Sequence, residues 1–358
     1  MQDLRSPHNN TVANSVEQQP IGLPPFQAPW WLGSSHLQTI MAKYLAPKQQ
    51  IATRQTMLQL PDGDELQLNW SLHLQPSAST PLVVLLHGLE GNLQSHYIQG
   101  MLRSLEQQGY ATVLMHFRGC HGKANRLPRA YHSGDTADFG YFISTLRQQF
   151  PEVPLAGIGF SLGGNVLVKY CGEQGIANPL FAAVAVSAPL DLSASADRIN
   201  QGFSKVYQRY LLGRLKATMQ RKLAAHDNFP LPVNEDDIQQ LQSIRQFDEL
   251  ITAPMHDFLH AEDYYQRCSG KAFLSQVAKP LLLVHAADDP FLGASSIPMP
   301  SELNPFVQLM LSKKGGHVGF VAGAYPWQRY YWLEHIVPTF LQQVLRSPIN
   351  SKAEQNSC

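Results

Sequence analysis

The stretch PLAGIGFSLGGN, Pro154 to Asn165, decides how this chain is read. Its first half, Leu155 to Phe160, is a short apolar run of the kind that forms a strand buried on both faces. Gly163 to Cys171 then continues at helical length. Between them Gly159-Phe160-Ser161-Leu162-Gly163 sets a glycine two places before and two places after a serine. A turn that passes so abruptly from strand to helix has no room for a Cβ at those two places, and it projects the serine from its tip. The following helix directs its free N-terminal amides at that point, where they favour developing negative charge. Ser161 is therefore the candidate nucleophile. The plainer alternative is a glycine-rich turn with no chemistry.

Working outward, the same type of apolar run recurs as Pro81–His87, Ala111–Phe117, Ala182–Ala188, Pro280–Ala286 and Val307–Ser312. Helical stretches fall between several of them, including Tyr97–Gln108 and Asp135–Gln149. Alternation of this kind predicts an α/β fold with a mostly parallel sheet covered by helices on both faces. Ahead of it, QTMLQL and ELQLNWSLHL alternate apolar and polar residues around the turn Pro61-Asp62-Gly63-Asp64, which predicts an antiparallel hairpin. The total is about eight strands.

The interval from Ala188 to Pro280 is far longer than a crossover needs, so an insertion is expected there. Phe203, Val206, Tyr207, Tyr210 and Leu211 lie at helical spacing within it. The expected organisation is a mobile tail over 1–22, a catalytic domain over 23–189 and 276–345, a helical cap over 190–275 above the sheet's C-terminal edge, and a second tail over 346–358.

A serine hydroxyl needs a base, and the base needs an orienting carboxylate. His317 lies in Lys313-Lys314-Gly315-Gly316-His317-Val318-Gly319-Phe320, directly after the last predicted strand. That position selects it from fourteen histidines. Asp288-Asp289-Pro290-Phe291 follows the strand before, and Asp289 is favoured over Asp288 as the acid because it immediately precedes the proline turn. The remaining aspartate would brace the loop. The loop His87-Gly88-Leu89-Glu90-Gly91-Asn92 follows the first long apolar run, so the amides of Leu89 and Leu162 are the candidate oxyanion donors.

Other chemistries find little support. Lys plus Arg equals Asp plus Glu at 27 each, so no global field attracts nucleic acid. There is no phosphate-binding glycine loop, and His116, Cys120 and His121 read as a strand end and turn rather than metal ligands; no cofactor or metal is expected. Cys120, Cys171, Cys268 and Cys358 are scattered, which predicts free thiols and a reducing compartment. The polar N-terminus carries no apolar leader, and a cytoplasmic location is expected.

Taken together, GFSLGGN, HGLEGN, DDPF and GGHVGF resemble the α/β-hydrolase superfamily, and within it the YheT-like branch that also contains abhydrolase-domain lipases and yeast medium-chain ethyl ester synthases. The likeness extends to Pro29-Trp30-Trp31, His36-Leu37-Gln38-Thr39-Ile40, Asn125-Arg126, Tyr131-His132-Ser133-Gly134-Asp135-Thr136, Phe247-Asp248 and Ala261-Glu262-Asp263-Tyr264-Tyr265. The resemblance implies an α/β-hydrolase fold and hydrolysis of short or medium acyl esters or lipids through an acyl-serine. Alcohol acyl transfer or thioester cleavage by the same three residues, or a non-catalytic binding role, are the competing readings. Seven basic residues between Asp197 and Lys222 face a single acid, so the cap helix is either packed with a solvated charged face or in weak peripheral contact with an anionic membrane.

Overall fold

The computed structural model describes residues 22–47, 51–226, 231 and 233–347. Most of both expected tails, with Cys358, lies outside these residues.

Eight strands form one sheet: β1 (Thr53–Gln59), β2 (Glu65–Ser71), β3 (Leu82–Leu86), β4 (Ala111–Met115), β5 (Leu155–Phe160), β6 (Leu180–Val186), β7 (Leu281–Ala286) and β8 (Val307–Ser312), in the order β1-β2-β4-β3-β5-β6-β7-β8. The first two form the antiparallel hairpin, β2 pairs antiparallel with β4, and β3 to β8 run parallel. Helices α1 (Ser35–Leu45), α2 (His96–Gln107), α3 (Ala137–Gln149) and α4 (Leu162–Gln174) precede β6, and α11 (Leu333–Arg346) closes the described chain.

The period-2 alternation of β3 divides the core in two. Leu82, Val84 and Leu86 join Phe139, Phe142 and Ile143 of α3 and Val166 and Leu167 of α4. Val83 and Leu85 turn to Ile98 and Leu102 of α2 and to Ile336 and Phe340 of α11. Burying each such side chain contributes about 1.5–3 kcal/mol, much of it offset by lost chain entropy. Because β4 lies on one side of β3 and β5 on the other, the connections diverge at the C-terminal ends of β3 and β5. Open α/β sheets have their crevice at such a switch point.

The segment between β6 and β7 contains α5 (Leu192–Ile199), α6 (Ser204–Ala225), α7 (Glu235–Gln240), α8 (Ile244–Phe247), α9 (Ala253–Met255) and α10 (Ala261–Cys268), with a π-helical turn at Asp248–Thr252 joining α8 to α9. The aromatic stripe of α6 does not form a single packed face. Tyr207 is buried, whereas Phe203, Val206 and Tyr210 are each more than half exposed. Its inward face is partly polar instead. Ser204 donates to the Pro290 carbonyl, Gln208 to Asn200 and Thr218 to Glu90. Lys222, one of the seven basic residues, is fully buried and donates to Asn125 Oδ1 and to the carbonyls of Leu127, Pro128 and Arg129. Burial lowers its pKa to about 8. The Asn125 that receives it also donates to Asp64, which is paired with the buried Arg118. The helices between β6 and β7 are thus joined to the rest of the chain through a satisfied polar network, as buried charge requires.

Candidate active site

Ser161 sits between β5 and α4 with φ 52° and ψ −121°, outside the ordinary regions for a non-glycine residue. Such strain persists only where surrounding structure enforces it. The enforcement here is close packing: a Cβ built on Gly159 would come within 2.3 Å of the Gly163 carbonyl oxygen, and one on Gly163 within 2.5 Å of the His87 carbonyl oxygen. Both glycines flanking Ser161 are therefore required by contact with backbone.

His317 and Asp289 converge on this serine from two other loops. His317 Nε2 lies 3.0 Å from Ser161 Oγ, and His317 Nδ1 lies 2.9 Å and 3.1 Å from the two oxygens of Asp289. Asp289 also accepts the Phe291 amide, at 2.8 Å. Asp288 points elsewhere. It accepts the Gly316 amide at 3.0 Å and so ties the loop after β7 to the loop carrying His317; burial raises its pKa. Among the two adjacent aspartates, geometry puts Asp289 on the imidazole and Asp288 on the backbone.

The support around His317 comes from parts of the chain that the sequence motifs did not connect with it. Thr39 of α1 accepts the His317 amide at 2.9 Å, and Ser187, after β6, accepts the Val318 amide at 3.1 Å. The Gln38 side chain bridges to Val321 by accepting its amide and donating to its carbonyl, at 2.9 and 3.0 Å. The segment His36–Ile40 is thus a buttress for the histidine loop. Phe291 lies flat against the imidazole. The DDPF motif contained this residue, but adjacency in sequence gave no sign of the stacking.

The loop after β3 approaches from the other side. A Cβ on Gly88 would lie 3.1 Å from Ser161 Cβ, so the loop touches the serine. The Gly88 amide donates to Tyr97 and the Glu90 amide to Tyr131. Glu90 has φ 53°, and its carboxylate accepts from Tyr131 at 3.0 Å and from Thr218 of α6 at 2.6 Å. The amides of Leu89 and Leu162 donate to no other described residue. His87 Nδ1 donates to the Gly88 carbonyl and Nε2 accepts the Phe117 amide, while burial drives its pKa to about 3, so it is a neutral structural member of the loop. His116 is likewise occupied, accepting the Leu93 amide.

An open cleft of about 570 Å³ leads to Ser161 and His317. Leu192, Ala196, Ile199, Leu211 and Ile244, from the helices between β6 and β7, form apolar wall, and Leu89, Leu162 and Phe291 complete it at the sheet edge. Such a lining favours an apolar substrate arm. The three cysteines among the described residues are unpaired and buried.

Three loops at one sheet edge, delivering such a hydrogen-bonded relay to a serine on a strand-to-helix turn, are the construction of the alpha/beta hydrolase fold. Residues 81–324 match that family, and the chain belongs to it. It is 42% identical over 312 residues to YheT of Escherichia coli (strain K12), which is described provisionally as an esterase; the match covers 87% of this chain and 91% of that one. It is 29% identical over 322 residues to the phospholipase ABHD3 of Mus musculus, covering 88% and 77% of the two chains. Among solved structures, the Pyrococcus furiosus esterase Pf2001 shares the fold with a TM-score of 0.52 at 15% identity, over 90% of this chain and 98% of that one.

Proposed function

We propose that this protein is a carboxylic ester hydrolase working through an acyl-Ser161 intermediate, with short to medium acyl esters or lipids as substrates. The observation that carries the reading is the unbroken line from Ser161 Oγ through both nitrogens of His317 to Asp289. Ser161 Oγ attacks the ester carbonyl while its proton passes to His317 Nε2. The charge arriving on the carbonyl oxygen is held by the Leu89 and Leu162 amides, which have no competing acceptor among the described residues. The tetrahedral adduct then collapses, and the departing alcohol oxygen takes the proton from His317. Water, giving its proton to the same nitrogen, attacks the acyl-serine, and the second adduct collapses to release the acid as Ser161 Oγ departs and takes that proton back from His317. Asp289 accepts from Nδ1–H throughout, which fixes the tautomer and stabilises the imidazolium. The family membership, and relatives described as an esterase and a phospholipase, support ester chemistry.

The test is twofold. The purified protein should hydrolyse p-nitrophenyl esters of graded chain length and be labelled by a fluorophosphonate, and Ser161→Ala should lose both. Near wild-type turnover in that variant would refute the assignment.

The exposed part of α6 supports a peripheral membrane role for the cap. Phe203, Val206 and Tyr210 stand beside exposed Lys43, Lys205 and Arg209, and Lys43 lies 5.8 Å above the Tyr210 ring. A line of ring contacts runs from this face inward, from Phe203 to Tyr207, Tyr207 to Phe291 and Phe291 to His317. An anionic lipid surface fits the aromatic and basic character, and it would meet the protein close to the cleft. No helix of the described residues is long and apolar enough to cross a membrane. The division into a catalytic domain over 23–189 and 276–345 with a cap over 190–275 follows the same reading, and the buried unpaired thiols support a reducing compartment, the cytoplasm.

A further inference from the structure

Asp248 is a buried carboxylate that the proposed reaction does not use, and it lines the same cleft as Ser161 and His317. It starts the π-helical turn between α8 and α9, an irregularity that is frequent at functional sites. No lysine or arginine lines this cleft, and Asp248 forms no ion pair among the described residues. Arg245, whose charge acts on Asp248 from a distance, lies 5.0 Å above the Tyr265 ring and is paired with Asp197 and Glu262 instead. What Asp248 does have is two hydroxyl donors: Thr252 Oγ1 at 2.7 Å from Oδ1 and the Tyr265 hydroxyl at 2.7 Å from Oδ2. An ionised carboxylate offers about four acceptor directions, so two donors leave it half used.

The rest of the surroundings are apolar wall with a few neutral polar groups. Leu192, Ala196 and Ile244 line the same cleft, as do Ser133, Ser195 and Tyr264. Tyr264 already accepts the Ser133 amide through its hydroxyl. A buried carboxylate in such a place is costly unless its remaining acceptor positions are met. An anionic group on the substrate would be repelled there, an all-hydrocarbon arm would leave the acceptor positions empty, and a hydroxyl would complete the set.

We propose that Asp248 forms a specificity subsite for a hydroxyl group, so that the preferred ester carries a hydroxyl on whichever arm lies against the cap. The inference rests on the ester-hydrolase reading and narrows its substrate class. Recognition is by a charge-assisted O–H···O⁻ bond to a carboxylate that is itself buried at the cleft wall, where a missing hydroxyl leaves it unmatched and the analogue is discriminated against.

The experiment compares matched esters on the intact protein. 2,3-Dihydroxypropyl butanoate against propyl butanoate probes the alcohol arm, and methyl 6-hydroxyhexanoate against methyl hexanoate probes the acyl arm. In one of the two pairs the hydroxylated ester should have a kcat/KM higher by about tenfold or more, the effect of one hydrogen bond to a charged group. Asp248→Ala should bring that ratio close to one, and Asp248→Asn, which keeps the shape and one acceptor oxygen, should lower it in part. Should the alanine variant not fold, the asparagine variant decides. Ratios near one for both pairs in the wild type, or a ratio unaltered in the variants while both rates fall together, would overturn the subsite and leave Asp248 as a structural group. An Asp248-dependent preference for butyrylcholine over the dihydroxypropyl ester would overturn it in favour of charge pairing. Absence of turnover on every ester together with absence of fluorophosphonate labelling would defeat the hydrolase reading and this inference with it, whereas turnover without discrimination defeats the inference alone.

Discussion

The ring of Phe291 lies on the imidazole of His317 with centroids 3.9 Å apart and planes inclined by 11°. Asp289 therefore acts on the imidazole edge and Phe291 on its face, and the amide of Phe291 is itself held by Asp289. A stacked ring restricts rotation of the imidazole out of line with Ser161. It also shields one face from water.

Replacing Phe291 by alanine removes this restraint and leaves the relay atoms in place. Aromatic pairs contribute about 0.5–1.5 kcal/mol, so kcat should fall by about two- to tenfold, with Phe291→Leu in between. Steady-state kinetics on a soluble ester checks this. An unchanged kcat in Phe291→Ala would remove the stacking from the account.

The two adjacent aspartates should behave differently. Asp289→Asn stabilises the wrong imidazole tautomer and should lower kcat by about a thousandfold or more. Asp288→Asn weakens one bond to the Gly316 amide and should lower it by about tenfold or less. Assaying both variants side by side is sufficient, and the opposite order would exchange their roles.

Burial raises the pKa of Asp248 to about 6 from 3.8, opposed by the hydroxyls of Thr252 and Tyr265 and by the more distant Arg245. The folded state thus holds this proton more tightly than the unfolded chain. Folding stability from this group is highest below pH 3.8 and declines as pH rises to about 6, beyond which the full cost of the buried charge persists. Asp248→Asn should consequently be more stable than the wild type at pH 7–8, by up to about 3 kcal/mol, with the difference shrinking toward pH 4. Denaturant midpoints at the two pH values measure it. A stabilising variant that loses substrate discrimination is the trade expected of a functional buried charge.

For the cap, the expectation is sedimentation with anionic but not zwitterionic vesicles at low salt. Lys205→Glu combined with Arg209→Glu should weaken this binding, and so should added salt, because exposed charges are screened. Turnover of a soluble short-chain ester should be unaffected by that pair. Equal recovery in the supernatant with both vesicle types would exclude the membrane role.

The sequence by itself determined the sheet and the serine. Continuous apolar runs such as Leu82–Leu86 and Leu155–Phe160 have no exposed face in any arrangement, and the glycines around Ser161 encode a local turn; both are properties of short windows. His317 was also legible, because chain order places it after the last strand. The tertiary structure alone decided what depends on side-chain direction and on distant contacts. Asp288 and Asp289 differ by one position, and only the path of the loop after β7 turns one carboxylate to the imidazole and the other to the Gly316 amide. Thr39, Ser187, Thr218 and Asp248 carry no sign of their roles in sequence because their partners lie far along the chain or across the cleft. The aromatic stripe of α6 is the plainest case. Helical spacing indicates that Phe203, Val206, Tyr207, Tyr210 and Leu211 share a side, but the inward face of the helix is set by the neighbours it meets. Leu212, Leu215 and Met219 pack with Ile238, Phe247 and Ile251, while Ser204, Gln208, Thr218 and Lys222 find carbonyl, amide and carboxylate partners inside, and so Phe203, Val206 and Tyr210 are left facing outward.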